Sequence, residues 1–140
     1  MQIQLTECDD EIARCFPVVA ELRPHLQASE FVERVRRQQA NGFQMAFLED
    51  DEEVKSVAGF RCGENLALGR FLYVDDLVTL ESARSKGYGD ALFDWLLEVA
   101  KQQHCAQFHL DSGVQRFDAH RFYLRKKMKI SSHHFALELE

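Results

Sequence analysis

Arg84, Ser85, Lys86, Gly87, Tyr88 and Gly89 stand consecutively between an apolar, strand-like run over residues 71–79 and an amphipathic helical pattern over residues 88–102. That order is the grammar of an anion site. A helix start presents N–H groups without intrahelical partners and the positive end of the macrodipole, so a phosphate lying there meets several donors at once. Gly87 and Gly89 have no Cβ, which permits a tight turn and a close approach of phosphate oxygens to the main chain. Arg84 and Lys86 add positive charge, and a guanidinium grips phosphate through two parallel hydrogen bonds. Two glycines so spaced also occur at ordinary helix entries, and this spacing alone names no ligand. Leu92 occupies the place of the third glycine of a dinucleotide fingerprint, and no Gly-Lys-Ser/Thr P-loop occurs.

Few other residues offer chemistry. Asp75, Asp76 and Glu81 lie where a carboxylate could accept a proton, and alternation along a strand places Asp75 and Asp76 on opposite faces, so at most one faces a reacting centre. His120, beside Arg121, reads as a surface residue despite its convenient intrinsic pKa. His133 and His134 lack further ligands at metal spacing, and no metal is assigned. Cys8, Cys15, Cys62 and Cys105 show neither C-x-x-C nor zinc spacing and read as free thiols in a reducing cytoplasm. No Ser/His/Asp or Cys/His arrangement stands out.

The elements that must position these residues follow from periodicity. Ile3 and Leu5 alternate as in a short strand. Residues 7–22 carry apolar side chains at helical spacing, with Pro17 marking a kink or break. Ser29 is the expected N-cap of a second helix using Phe31, Val32 and Val35, closed by Asn41-Gly42. Residues 44–48 and 54–62 read as strands around the acidic turn 49–53, and a turn over 63–69 leads into the long strand that ends at Thr79. In the helix after the loop, Tyr88, Ala91, Leu92, Trp95, Leu96 and Val99 form the apolar face, opposite Asp90, Asp94 and Glu98. A strand over 108–110, a helix capped by Asp118 and carrying Phe122 and Tyr123, and a closing strand over 130–139 complete the chain. Strand-helix-strand units after an antiparallel meander predict a mixed, mainly antiparallel α/β (α+β) sheet flanked by helices.

With 140 residues, 46% of them hydrophobic, the chain can bury one core but is short for two, and 1–140 is read as one domain. A net charge of −6 argues against a general nucleic-acid binder. Arg121, Arg125, Lys126, Lys127 and Lys129 with Phe122 and Tyr123 interleaved would spread around a helix, as a solvated face does. No signal peptide or membrane-length apolar run is evident, and a cytoplasmic location with no membrane partner is expected.

The run Tyr73 to Leu92 resembles the acetyl-CoA signature of the GNAT N-acetyltransferases, a strand followed by Arg/Gln-x-x-Gly-x-Gly/Ala and a helix, with Arg84, Gly87 and Gly89 matching. A second segment, Ala119 to Met128, is similar to that family's later helix, where Ala-x-x-Phe-Tyr places a tyrosine beside the thioester. Phe122-Tyr123 fits it. The resemblance implies a single-domain GNAT fold and an acyltransferase that moves acetyl from acetyl-CoA to a primary amine of a small molecule or protein by direct attack. A catalytically inactive acyl-CoA-binding regulatory module is the alternative. It implies that Leu77, Val78 and Thr79 pair with the pantetheine arm, that the turn Ser85, Lys86, Gly87, Tyr88, Gly89 and Asp90, with Arg84, holds the pyrophosphate, and that Tyr123 is the general acid. Asp76, which falls where the family often carries an acid before a Leu-Val pair, is the favoured base. Arg116 and Lys127 replace an asparagine and a glycine of the family pattern, which leaves the turn after Tyr123 needing a non-glycine residue in an unusual conformation. Pairing of the closing strand across a homodimer stays open.

Overall fold

The computed structural model describes residues 1–140 and falls into two compact units, Met1–His109 and Leu110–Glu140. A five-stranded mixed sheet of order β1-β2-β3-β4-β5 organises the first, from β1 (Gln2–Leu5), β2 (Gln44–Asp50), β3 (Glu53–Asn65), β4 (Gly69–Thr79) and β5 (Gln107–Leu110). The first three pairs are antiparallel. Turn chemistry sets their register. Asp51 and Glu52 both adopt positive φ (54° and 60°) between the paired Asp50 and Glu53, the two-residue hairpin whose twist suits adjoining strands. At the next hairpin Gly69 takes φ 73° and the Asn65 side-chain oxygen accepts the Leu68 N–H at 2.7 Å.

The middle of the sheet is covered on both faces, and β2 accordingly carries the continuous apolar run Met45 to Leu48. α1 (Asp9–Leu22) and α2 (Ala28–Gln39) cover one face. There Ile12, Cys15, Val18, Phe31 and Val35 pack with Met45, Phe47, Val57 and Val78. α3 (Tyr88–Gln102) supplies Leu92, Phe93 and Leu96 to the buried core, and Trp95 meets Phe60 edge-on at 6.2 Å. Pro17 does not end α1. The missing backbone donor is outweighed by the burial of Cys15, Val18 and Val19 around it. The expected cap at Ser29 is displaced: the N-cap is Gln27, with no side-chain bond, and Ser29 sits within the first turn. Gly42, at φ 98°, makes the turn that follows α2.

One irregularity in β4 bears on the site. Gly59 pairs with Asp76, yet Phe60 pairs with Val74, so Asp75 is an extra residue in a β-bulge. Gly59 is needed there for space, because a Cβ would stand 2.6 Å from the Phe43 ring. Gly59→Ala is expected to cost about 1–3 kcal/mol through overpacking. Urea denaturation checks this, and a cost below about 0.5 kcal/mol, the scale of ordinary surface changes, would mean that Phe43 moves aside freely.

In the second unit α4 (Phe117–Arg125) is the one helix. Its N-cap is Arg116, not Asp118, which lies in the first turn and accepts a bond from Arg121 at 2.7 Å. The closing strand expected over 130–139 is absent. Its alternation is real, but a strand requires a ladder, and these residues pair with none, leaving Ile130, Phe135, Leu137 and Leu139 exposed. No helix is long and apolar enough to cross a membrane.

Candidate functional site

The glycine loop is shaped as its residue types demand. After the short 3-10 turn Glu81–Ala83, Ser85 and Gly87 are both left-handed, at φ 65° and 86°. Left-handed residues two apart in a turn aim successive N–H groups into one concavity. Gly87 is the N-cap of α3 and no side chain caps that end. The first intrahelical bond runs from Ala91 N–H to the Gly87 carbonyl at 3.0 Å, so the amides of Tyr88, Gly89 and Asp90 precede the ladder. A Cβ on Gly87 would meet nothing within 4 Å, and the loop is open on that side. A Cβ on Gly89 would stand 3.2 Å from Thr79 Oγ1, so the loop lies directly against the end of β4. Arg84 and Lys86 are exposed.

Tyr88 anchors this loop. Its ring packs with Leu48 and Ala83 and its hydroxyl donates to Asp50 Oδ2 at 2.7 Å. The bond holds the Asp50 carboxyl below its ordinary range, helped by the N-terminal amine 3.3 Å away, and raises the Tyr88 phenol. Tyr88 therefore acts on the loop through its side chain as well as its amide, a contact between residues 38 apart that no local pattern records.

β4 delivers the remaining candidates. Val78 faces the α1/α2 core, while Leu77 and Thr79 are half-buried. On one edge they pair with Ala58, Val57 and Ser56 of β3. On the other, β5 begins where Ala106 N–H bonds the Arg70 carbonyl at 2.7 Å and has only four residues. With four residues against the eleven of β4, β5 cannot cover the whole of that edge.

Asp75 and Asp76 correct the expectation that they face opposite ways. Arg61 binds Asp75 through two bonds of 3.0 and 2.6 Å, and its guanidinium lies over the Phe43 ring, 5.4 Å from the centroid. The same ring lies against Gly59, and Asp76 Oδ2 is 3.4 Å from the Gly59 Cβ direction. Both acids thus lie on the α1/α2 face, because the bulge suspends the two-residue alternation. Arg23 Nε donates to Asp76 Oδ1 at 2.7 Å, and its terminal nitrogen lies 2.6 Å from that oxygen. Asp76 also lines a cavity formed by both helices and the sheet. Glu81 is exposed, and its backbone N–H is held by Glu21.

In the second unit, Tyr123 is half-buried with its ring 5.5 Å from that of Phe122. Burial pushes its phenol up, and the Arg116 guanidinium beside the hydroxyl opposes that rise. The residue that departs from the family's asparagine thus touches the candidate acid. Lys127 takes φ 70°, the left-handed conformation anticipated where a glycine is missing. His120 bonds the Gly113 carbonyl at 2.7 Å. The structure brings the loop and Leu77–Thr79 together and Asp76 onto the helix-facing side. Sequence reasoning missed Arg23, Arg34 and Gly59, of which only Gly59, a glycine inside a strand, carried a local signal.

Comparison with known proteins fits this geometry. Residues 5–128 match the model of the Acetyltransferase (GNAT) family. The chain is 33% identical over 124 residues to an uncharacterized N-acetyltransferase of Bacillus subtilis, YhdJ, covering 88% of this chain and 87% of that one. It is 36% identical over 66 residues to the aminoalkylphosphonate N-acetyltransferase of Salmonella typhimurium, covering 47% and 43%. The fold is shared with the ribosomal-protein-alanine N-acetyltransferase of Brucella melitensis, with a TM-score of 0.85, 16% identity and coverage of 99% and 100%. GNAT enzymes generally use acetyl-CoA and an amine acceptor. With the family model spanning both the loop and the Phe122-Tyr123 segment, the chain belongs to the GNAT family of acyltransferases.

Proposed function

We propose that this chain is an acetyl-CoA-dependent N-acetyltransferase acting on a primary amine by direct attack in a ternary complex, with residues 1–140 working as one domain. The observation that carries this reading is the open, left-handed turn at Ser85 and Gly87 set against the end of β4. Acetyl-CoA supplies an acyl group already activated as a thioester. Amides from Ser85 to Asp90, with Arg84 and Lys86 alongside, hold the pyrophosphate, and the main chain of Leu77, Val78 and Thr79 pairs with the pantetheine arm as a strand would. Asp76 takes a proton from the incoming ammonium through Oδ2, directly or by one water, and Tyr123 gives one to the departing sulfur. One C–N bond forms and one C–S bond breaks; the nitrogen gives up its second proton as the tetrahedral adduct collapses, which restores the Tyr123 hydroxyl, and Asp76 returns its proton to water, so one proton is released overall. The main work of the protein is orientation, so no enzyme nucleophile is needed.

The likeness to aminoalkylphosphonate N-acetyltransferase over 66 residues supports a small-molecule acceptor over a protein one. The reading places the enzyme in the cytoplasm, without nucleic-acid or membrane partners, as a monomer or homodimer.

Arg84 has no carboxylate partner, so its charge is available to phosphate. Arg84→Ala is expected to weaken acetyl-CoA binding by about 1.5–3 kcal/mol, roughly ten- to hundred-fold, as loss of a charge-assisted bond does. Calorimetric titration measures this, and unchanged affinity would leave Arg84 in solvent. Release of CoA across a panel of amines tests the activity. If no amine supports release while acetyl-CoA still raises the melting temperature, the chain is an acyl-CoA-binding regulatory module instead.

A further inference from the structure

The cavity beneath Asp76 has a volume of about 70 Å³ and lies between the α1/α2 layer and the sheet. Val19, Leu26, Phe31, Phe43 and Met45 give it apolar walls, into which Arg23, Arg34 and Asp76 bring charge. These charges are not equivalent. Arg23 and Asp76 neutralise one another through Oδ1. The nearby Asp75 is held by Arg61, and Arg36, two residues along α2, is held by Asp9 at 2.9 Å. Arg34, half-buried on α2, has no carboxylate partner. The cavity therefore offers one uncompensated guanidinium on its helical side and one available carboxylate oxygen, Asp76 Oδ2, on its sheet side. A partly desolvated cation without a counter-ion is unfavourable, and a ligand anion would offset that cost.

We propose that the acceptor is a short amine that also carries an anionic group, a carboxylate or phosphonate, with the anion on Arg34 and the ammonium at Asp76 Oδ2. This rests on the reading of the chain as an N-acetyltransferase whose acceptor enters beside Asp76. The apolar lining of the cavity suits the methylene groups of such a molecule. At about 10–15 Å³ per water-sized sphere, the cavity admits roughly five to seven such volumes, the size of a small amino acid. A second cation on the acceptor, as in a diamine, would meet Arg34 and be rejected.

The test compares β-alanine and 3-aminopropylphosphonate with the uncharged β-alaninamide and with 1,3-diaminopropane, on the wild type and on Arg34→Gln, with melting curves to verify folding. Initial rates with acetyl-CoA are paired with calorimetric titration of each amine into the protein alone. One charge-assisted contact predicts a preference of roughly ten- to hundred-fold in kcat/KM and in affinity for the acids over β-alaninamide. Arg34→Gln should remove most of it and leave β-alaninamide within about two-fold of wild type. Preference between the two acids identifies the anion. Equal use of the amide or the diamine, or equal loss for acid and amide in Arg34→Gln, overturns the proposal while leaving the transferase reading intact. Should no amine be acetylated, titration still decides: tighter binding of the acids that Arg34→Gln abolishes sustains the anion site and removes the transferase reading, whereas binding that ignores the substitution removes the anion site.

Discussion

Tyr123→Phe should lower kcat by about 10²–10⁴-fold, the range of general acid catalysis, while acetyl-CoA affinity and melting temperature change little. The substitution removes one hydroxyl and keeps the ring that packs on Phe122. Burial raises the Tyr123 phenol above its ordinary value near 10, so at neutral pH the hydroxyl is fully protonated and able to give its proton to sulfur. The same shift fixes the pH dependence. Because the acid form is the protonated one and its pKa is raised, activity owed to Tyr123 persists through pH 10 and is lost only above it. That alkaline limb should vanish in the variant. Arg116 works in the opposite direction, easing release of the proton, and it stands where the family carries a neutral asparagine. A thiol-trapping assay of CoA release with a saturating amine measures kcat. If kcat survives in Tyr123→Phe, the residue only packs, and the sulfur leaves by another route.

Much of the fold was legible because the relevant signals are local. The helix over residues 88–102 emerged with its observed bounds, since an apolar face at 3.6-residue spacing begins at a glycine pair that a strand could not use. The loop was legible for the same reason, as left-handed turns select residue types directly. What could not be read depended on partners distant in sequence. The alternation over 130–139 states which side chains could share a face, but not whether a neighbouring strand exists. The faces of Asp75 and Asp76 were misread because the bulge is a property of the pairing with β3, written as much by Gly59 and Phe43 as by the acids. Arg23 and Asp76 are 53 residues apart, and nothing local marks either as the other's partner. The glycine loop is thus encoded in one short motif, whereas the surroundings of Asp76 are assembled from three elements.

Gly87→Trp is expected to abolish acetyl-CoA binding while the protein still folds, and Gly87→Ala separates the two reasons. Both variants force a side chain to adopt φ 86°, at a backbone cost of about 1–2 kcal/mol. They differ in volume. Nothing within 4 Å meets the first side-chain atom, so an indole would extend into the open concavity rather than clash with the protein. Alanine should therefore lose stability with only modest loss of affinity, whereas tryptophan should lose stability to the same degree and bind more than about a hundred-fold more weakly, since blocked phosphate contacts forfeit several charge-assisted bonds together. Gly89→Trp should block the loop too, but from the strand side, where the first added atom already crowds Thr79 Oγ1 at 3.2 Å and must displace the end of β4. Calorimetric titration beside thermal melts distinguishes these cases. Wild-type affinity in both tryptophan variants would mean that the pyrophosphate lies elsewhere, and the assignment of Leu77–Thr79 to the pantetheine arm would go with it, because the loop is what places one beside the other.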